Sequence, residues 1–203
     1  MELDPLHIPP SALYQHLIRV IAPRPIAWVS TVSLSGVTNL APFSFFTGAG
    51  SRPPSLVFCP SNRRDGSPKD TLKNILDTGE FVVNAVPFRM AAEMNLSSAE
   101  LPPDESEFEL TGVATTESKL VKPPRVQASP VSLECRLLHH LALESGPGGA
   151  NLVVGRILHI YMDDGILDAD GFADAGLLDL IGRLGGASYC RTTDRFNIPR
   201  PAL

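Results

Sequence analysis

The chain has 203 residues, a formal net charge of -5 and an apolar share of 43%, which are ordinary values for a soluble globular protein with one hydrophobic core. The negative charge argues against nucleic-acid binding, because a phosphate backbone selects basic stripes and the sequence has none. Three cysteines without paired spacing argue against a disulfide framework and favour a reducing cytoplasm.

The N-terminal segment, residues 1–17, is acidic, contains prolines and lacks an apolar core. We therefore expect that it is not a signal peptide. No later run approaches the roughly 20 apolar residues that a membrane-spanning helix needs. These features predict a cytoplasmic location and no membrane contact.

Residues 26–34 and 37–46 are predicted to form two strands joined by a tight turn, in which Gly36 supplies a positive φ. The pair carries many small polar residues, where a hairpin built only for packing would use more Val, Ile and Leu. We interpret this surface as suited to a flat polar ligand. Trp28 shares a strand face with Ile26, so it is expected to pack in the core or at a dimer contact rather than to stack on a ligand.

Two short apolar runs, residues 55–59 and 81–86, are predicted strands that flank the most clearly marked helix, residues 68–78. We expect Ser67 to be its N-cap, a proline to occupy its first position and Gly79 to end it.

The start of this helix has the features of a phosphate site. Lys69, Asp70 and Thr71 place an ammonium and a hydroxyl beside free backbone N–H groups and the positive end of the helix dipole. The preceding segment, residues 59–64, adds the hydroxyl of Ser61 and two arginines, which bind phosphate through paired N–H groups. From this segment alone, a capped surface helix with a solvated lysine is the simpler interpretation. The polar hairpin nearby favours flavin mononucleotide (FMN), with its phosphate at the helix and its ring along the hairpin backbone.

The second half of the chain is predicted to be richer in strands than in helices. The predicted elements are a helix at residues 88–96, an exposed acidic loop at 97–107, strands at 131–141 and 152–162, a short helix at 177–184 and an irregular proline-rich tail that starts at about residue 192 and includes residues 196–203. Cys135 is expected in the core. Strand 152–162 is apolar on both faces, which indicates a central strand or one covered by a partner. The whole pattern predicts a mainly β fold, a closed or partly closed β-barrel with peripheral helices, in one domain spanning residues 1–203.

The sequence resembles the flavin reductase-like family, which includes flavoredoxins and the reductase partners of two-component monooxygenases. The resemblance extends from about residue 21 to residue 191 and rests on the runs APRPIAWVST, NLAPFSFFTGAG, KDTLKNI, EFVVN and GRLGGASYCR. It implies an FMN-binding split β-barrel that works as a homodimer, with flavin sites at or near the subunit interface.

The resemblance also implies which residues contact the flavin. The first flavin-lining segment is Ser30, Thr31, Val32 and Ser33; the second contains Asn39, Leu40, Ala41 and Ser44; the phosphate-side positions are Ser61, Lys69, Asp70 and Thr71; and Arg183 with Tyr189 belongs to the C-terminal signature.

The favoured function is that of an NAD(P)H-dependent flavin reductase, in which the nicotinamide stacks on the isoalloxazine ring and passes hydride to flavin N5. The reduced flavin then leaves as a product, or stays bound and passes electrons to a monooxygenase or another acceptor. No side chain is needed as a nucleophile or general base, so no catalytic residue is predicted. No metal site is predicted either, because His159 and the acidic pair Asp163 and Asp164 lack convergent ligand spacing. The sequence has no dinucleotide-binding unit, and the nicotinamide is therefore expected to dock on the exposed flavin face. The alternatives are an FMN-binding electron carrier or flavin-dependent sensor with little turnover, and a structural barrel without flavin.

Overall fold

The computed structural model describes residues 1–201, and its secondary structure is mainly β, as predicted. The strands are β1 Ala27–Val32, β2 Thr38–Phe43, β3 Phe46–Ser51, β4 Pro54–Phe58, β5 Glu80–Asn84, β6 Thr115–Thr116, β7 Arg125–Val126, β8 Val131–Ala142, β9 Asn151–Met162, β10 Ile181–Arg183 and β11 Tyr189–Arg191. The α-helices are α1 Pro10–Val20, α2 Asp70–Thr78, α3 Ala91–Leu96, α4 Glu107–Thr111 and α5 Ala175–Leu178, and single 3-10 turns lie at Pro5–His7, Phe88–Met90 and Asp164–Ile166. None of the helices described here combines the length and the apolar character needed to cross a membrane.

Seven strands form one antiparallel sheet in the order β2-β1-β5-β8-β9-β4-β3. β2 and β3 are the two edges, so the sheet does not close into a complete barrel. The predicted second strand ran through Phe46, whereas the chain bends at Ser44 and Phe45 and then enters β3 on the opposite edge. β3 was not predicted as a separate strand because its sequence, FTGAGS, is rich in glycine and has low strand propensity.

The β1–β2 hairpin is confirmed. Its strands pair in the register Thr31 opposite Asn39, and the turn is closed by a hydrogen bond of 2.9 Å from the N–H of Ser33 to the carbonyl of Val37. Gly36 has a φ of 89°, the left-handed conformation expected for it.

Two apolar clusters lie on the two faces of this hairpin. On the inner face of the sheet, Leu72 and Ile75 of α2 pack with Phe81 and Cys135, which confirms the core position of the cysteine. On the other face, Trp28 is fully buried in a second cluster formed with helices α3 and α4. Trp28 is therefore a core residue, as expected.

The start of α2 differs from the prediction, whereas its end agrees with it. Lys69 is the N-cap residue, and the side-chain hydroxyl of Ser67 instead donates to the carboxylate of Asp65 at 2.6 Å. This local hydrogen bond holds the preceding segment outside the helix. Gly79 ends the helix in the left-handed conformation, with its N–H donating to the carbonyl of Ile75 at 2.8 Å.

Two predictions for the second half are wrong. Residues 97–107 are not a uniformly exposed loop, because Ser97, Ser106 and Glu107 are buried and Glu107 begins α4. Residues 177–184 are not a helix, because the left-handed Asp179 ends α5 after one turn and the chain continues into β10. Residues 196–201 have no regular structure, as expected for the tail, and the rest of that predicted segment, residues 202–203, lies outside the described residues.

Candidate functional site

A groove opens where the start of α2 faces the edge strand β2. Asn39–Phe43 of β2 forms one wall, residues 69–71 at the helix start form a second, and residues 97–101 form a third. The groove therefore combines strand backbone with a helix N-terminus, which are the two components that the sequence assigned to a ring site and a phosphate site.

The helix start offers unused hydrogen-bond donors. No side chain caps α2, which leaves its first backbone N–H groups available. Among residues 1–201, the ammonium of Lys69 takes part in no ion pair or side-chain hydrogen bond. Arg63, by contrast, is paired with the carboxylate of Asp70. This corner suits a phosphate, because the N–H groups, the helix dipole and the lysine all favour negative charge.

Two buried hydrogen bonds attach α2 to the hairpin. The side-chain amide of Asn39 donates to the hydroxyl of Thr71 at 2.9 Å, and that of Asn74 donates to the hydroxyl of Thr31 at 3.0 Å. Thr31 and Thr71 are both almost fully buried. Some polar side chains of the hairpin therefore hold the helix in place. Thr31 is one of them, because its buried hydroxyl accepts a hydrogen bond from α2.

The structure brings some of the sequence-predicted site residues together and separates others. Asn39, Ala41, Lys69, Asp70 and Thr71 line this groove, and Ser44 and Arg183 line its continuation. Ser30, Thr31 and Leu40 are fully buried, Val32 and Ser33 line a different cavity at the hairpin turn, and Ser61 is exposed and pairs through its backbone with Ala150.

The groove continues past Pro42 and Ser98 into a second cavity of about 240 Å³. Arg24 and Arg183 lie in its wall with two tyrosines, Tyr14 and Tyr189. We call this part of the groove the arginine cavity. The sequence did not predict this cavity as a unit, because its residues come from five segments that are far apart in the chain. These are α1, the segment before β1, the end of β2, the α3 region and the β10–β11 hairpin.

Glu107 is a groove residue that the sequence did not reveal. Its carboxylate accepts the backbone N–H of Leu40 at 2.9 Å, and the residue is only 6% exposed. Burial raises the pKa of this carboxyl group. The apolar Phe108 next to it is typical of a buried turn, but the acidic residues around it favour a solvated loop.

Glu107 and Pro42 together block the outer edge of β2. The N–H of Leu40 is taken by Glu107, and Pro42, two residues further along the same strand side, has no N–H to donate. A further strand therefore cannot extend the ladder here, and the groove stays open beside the edge.

Comparisons with known proteins agree on one family. Residues 20–184 match the family model described as "Flavin reductase like domain". An uncharacterized protein of Aquifex aeolicus is 41% identical over 179 residues, which are 88% of this chain and 89% of that protein.

Two solved structures are similar over nearly their whole length. Nitrilotriacetate monooxygenase component B from Bacillus cereus is 31% identical with a TM-score of 0.92, and the match covers 98% of each chain. The 2-nitrobenzoate 2-nitroreductase NbaA of Pseudomonas fluorescens is 32% identical with a TM-score of 0.89, and the match covers 99% of this chain and 96% of that one.

The raised pKa of Glu107 predicts a pH-dependent effect of Glu107→Gln on stability. The folded protein holds this proton more tightly than the unfolded chain does, so the cost of the buried charge grows as the pH rises above the ordinary value for glutamate. Glutamine removes that cost and can still accept the N–H of Leu40. We expect the variant to become more stable relative to the unaltered protein as the pH is raised from about 4.5 to about 7.5. The free energy of unfolding, measured in urea at both pH values, checks this.

The matched control is Glu109→Gln on the exposed side of the same helix, which should show a smaller pH-dependent difference. An equal stability difference at both pH values for Glu107→Gln would contradict the assignment of a buried, costly charge.

Proposed function

The chain belongs to the flavin reductase-like family, and on that basis we propose that it is an FMN-dependent oxidoreductase that takes hydride from NAD(P)H. The observation that carries the proposal is the uncapped start of α2. There Lys69, whose ammonium has no ion-pair partner among residues 1–201, lines an open groove together with the edge strand β2. The FMN phosphate would lie at this helix start and the ring along β2.

The residues present fit the phosphate of FMN. Lys69 and the free N–H groups of α2 supply positive charge and donors, and Thr71 keeps its own O–H after accepting from Asn39. Arg63 lies at the same corner, with its charge partly balanced by Asp70. A doubly charged phosphate group here would gain charge-assisted hydrogen bonds in a partly buried place.

The residues along β2 fit a flat ring. Ala41 presents a small side chain to the groove, and the neighbouring Pro42 and Phe43 present apolar surface. Residues 97–101 form a further wall of the groove. Bound FMN supplies the redox chemistry by accepting hydride at N5, and the task of this chain is to hold and orient the ring.

The electron acceptor is proposed from the same comparisons. One structural neighbour is a monooxygenase component and the other a nitroreductase that acts on 2-nitrobenzoate, as their names state. We therefore propose that the electrons pass to a partner monooxygenase or to a small aromatic acceptor. The alternative of an electron carrier or sensor uses the same FMN site and differs only in the lack of nicotinamide turnover.

Anaerobic reduction distinguishes these two functions. Mixing the FMN-loaded protein with NADH or NADPH should bleach the flavin absorption band within about seconds, because a reductase would orient the nicotinamide and the flavin for rapid hydride transfer. Bleaching that takes hours with both donors would exclude the reductase and favour the carrier or sensor. A protein that stays colourless after FMN is added would contradict both.

The phosphate assignment is tested with Lys69→Ala. Loss of a hydrogen bond to a charged group costs about 1.5 to 3 kcal/mol, so FMN binding should weaken by roughly tenfold to a hundredfold. Riboflavin lacks the phosphate, so its affinity should change little. The control is Lys73→Ala, an exposed lysine on the same helix that pairs with Asp77. Equal losses for FMN and riboflavin would show that Lys69 does not contact the phosphate.

We also propose that the protein works as a homodimer. Ile160 and Met162 of β9 are 49% and 42% exposed, and they lie on the same face as their cross-strand partners Leu133 and Val131. These two partners line an apolar cavity of about 290 Å³. The four side chains and the cavity form one apolar surface, which a second copy of the chain would cover.

The dimer proposal predicts the effect of Ile160→Glu on mass in solution. A carboxylate in the covered surface should shift the protein from dimer to monomer in sedimentation velocity at micromolar concentration, because the charge would be buried without a partner. The control is Leu34→Glu at the hairpin turn, where the leucine is 77% exposed. A monomeric mass for the unaltered protein would contradict the proposal.

A further inference from the structure

The arginine cavity holds two positive charges that have no counterion among the residues that the structure describes. Arg24 and Arg183 line the same cavity of about 240 Å³. Neither residue takes part in the ion pairs found among residues 1–201. Two guanidinium groups in one concave, partly desolvated place repel each other, and an anion between them would lower that energy.

Arg24 is fixed by the backbone and supplies charge without being free to move. Its guanidinium donates to the carbonyls of Ile18, Ile21 and Leu184 and, at 3.3 Å, to the hydroxyl of Ser44. Burial lowers the pKa of Arg24, Tyr14 opposes this shift, and the nearby positive charge of Arg183 lowers the pKa further. The two positive charges therefore repel each other across the cavity.

Arg183 is held in place but remains accessible from the cavity. Its guanidinium donates to the hydroxyl of Tyr189 and to the carbonyl of Gly186, and its central carbon lies 4.5 Å from the centre of the Tyr189 ring. The Nε–H has no acceptor among the hydrogen bonds of the described chain. Asn95 lies next to the tyrosine hydroxyl at 3.5 Å and adds a polar group to the wall.

The flavin phosphate has its own proposed place at Lys69, in the other part of the groove, and the two parts meet at Pro42 and Ser98. We infer that the arginine cavity binds an oxyanion of the second ligand, with Arg183 as the contacting residue and Arg24 as a fixed supporting charge. This inference rests on the proposed function. Two sources share the required chemistry: the phosphates of the nicotinamide dinucleotide and the carboxylate of an aromatic acceptor.

Calorimetric titration of the FMN-loaded protein with NAD+ and with benzoate tests the inference and separates the two sources. Arg183→Gln removes the positive charge and keeps a polar side chain with an N–H donor group. We expect it to weaken one of the two probes by roughly tenfold to a hundredfold. FMN binding should weaken less than that, because the flavin phosphate has its proposed place at Lys69. Weaker NAD+ binding assigns the cavity to the donor, and weaker benzoate binding assigns it to the acceptor.

The matched control is Arg191→Gln on the same β10–β11 hairpin, where the arginine is paired with Asp179. The inference is overturned if the unaltered protein binds neither probe, if Arg183→Gln weakens neither, if Arg191→Gln has the same effect, or if FMN affinity falls as much as probe affinity. Failure of the unaltered protein to bind FMN would contradict the proposed function alone. In that case the same titrations on the flavin-free protein test this inference. Weaker binding of one probe by Arg183→Gln alone would support it, and unchanged binding would overturn it.

Discussion

Two buried hydrogen bonds between asparagine amides and threonine hydroxyls determine where α2 lies. Asn39 bonds to Thr71 and Asn74 bonds to Thr31, across the contact between the helix and the β1–β2 hairpin. A buried polar group without a partner costs about 1 to 3 kcal/mol, so alternative placements of the helix would leave these groups unpaired at a considerable cost. The start of α2 is thereby held beside β2, and the groove exists because of this placement.

The groove also depends on the fact that the sheet is not closed, so that β2 remains an edge strand. A β-sheet of this size would gain hydrogen bonds by closing, but the backbone of β2 cannot continue the ladder at Leu40 and Pro42. Glu107 takes one N–H at the cost of burying a carboxylate, and proline removes the other. The protein thus keeps an edge strand available beside the groove and protects it from pairing with another chain.

The two parts of the groove differ in how strongly local sequence marks them. Lys69, Asp70 and Thr71 are adjacent, and the helix that they begin has a clear glycine end, so the sequence indicated a phosphate corner. The sequence places the start of that helix two residues too early, with Ser67 as the N-cap where the structure has Lys69, because the Ser67–Asp65 hydrogen bond competes with capping. Of the arginine cavity, the sequence marked only Ser44 and the pair Arg183 and Tyr189, because the lining residues come from five separate segments.

The sequence by itself determined the mainly β fold, the β1–β2 hairpin with Gly36 in its turn, the core positions of Trp28 and Cys135, and the family. Strand periodicity, turn residues and helix ends act over a few neighbouring residues and can be seen in one dimension. Only the tertiary structure decided which polar side chains line the groove and which are buried in hydrogen bonds within the protein. Asn39 meets Thr71 across 32 positions, and Arg24 meets Leu184 across 160, so these contacts depend on the folded topology and leave no local pattern.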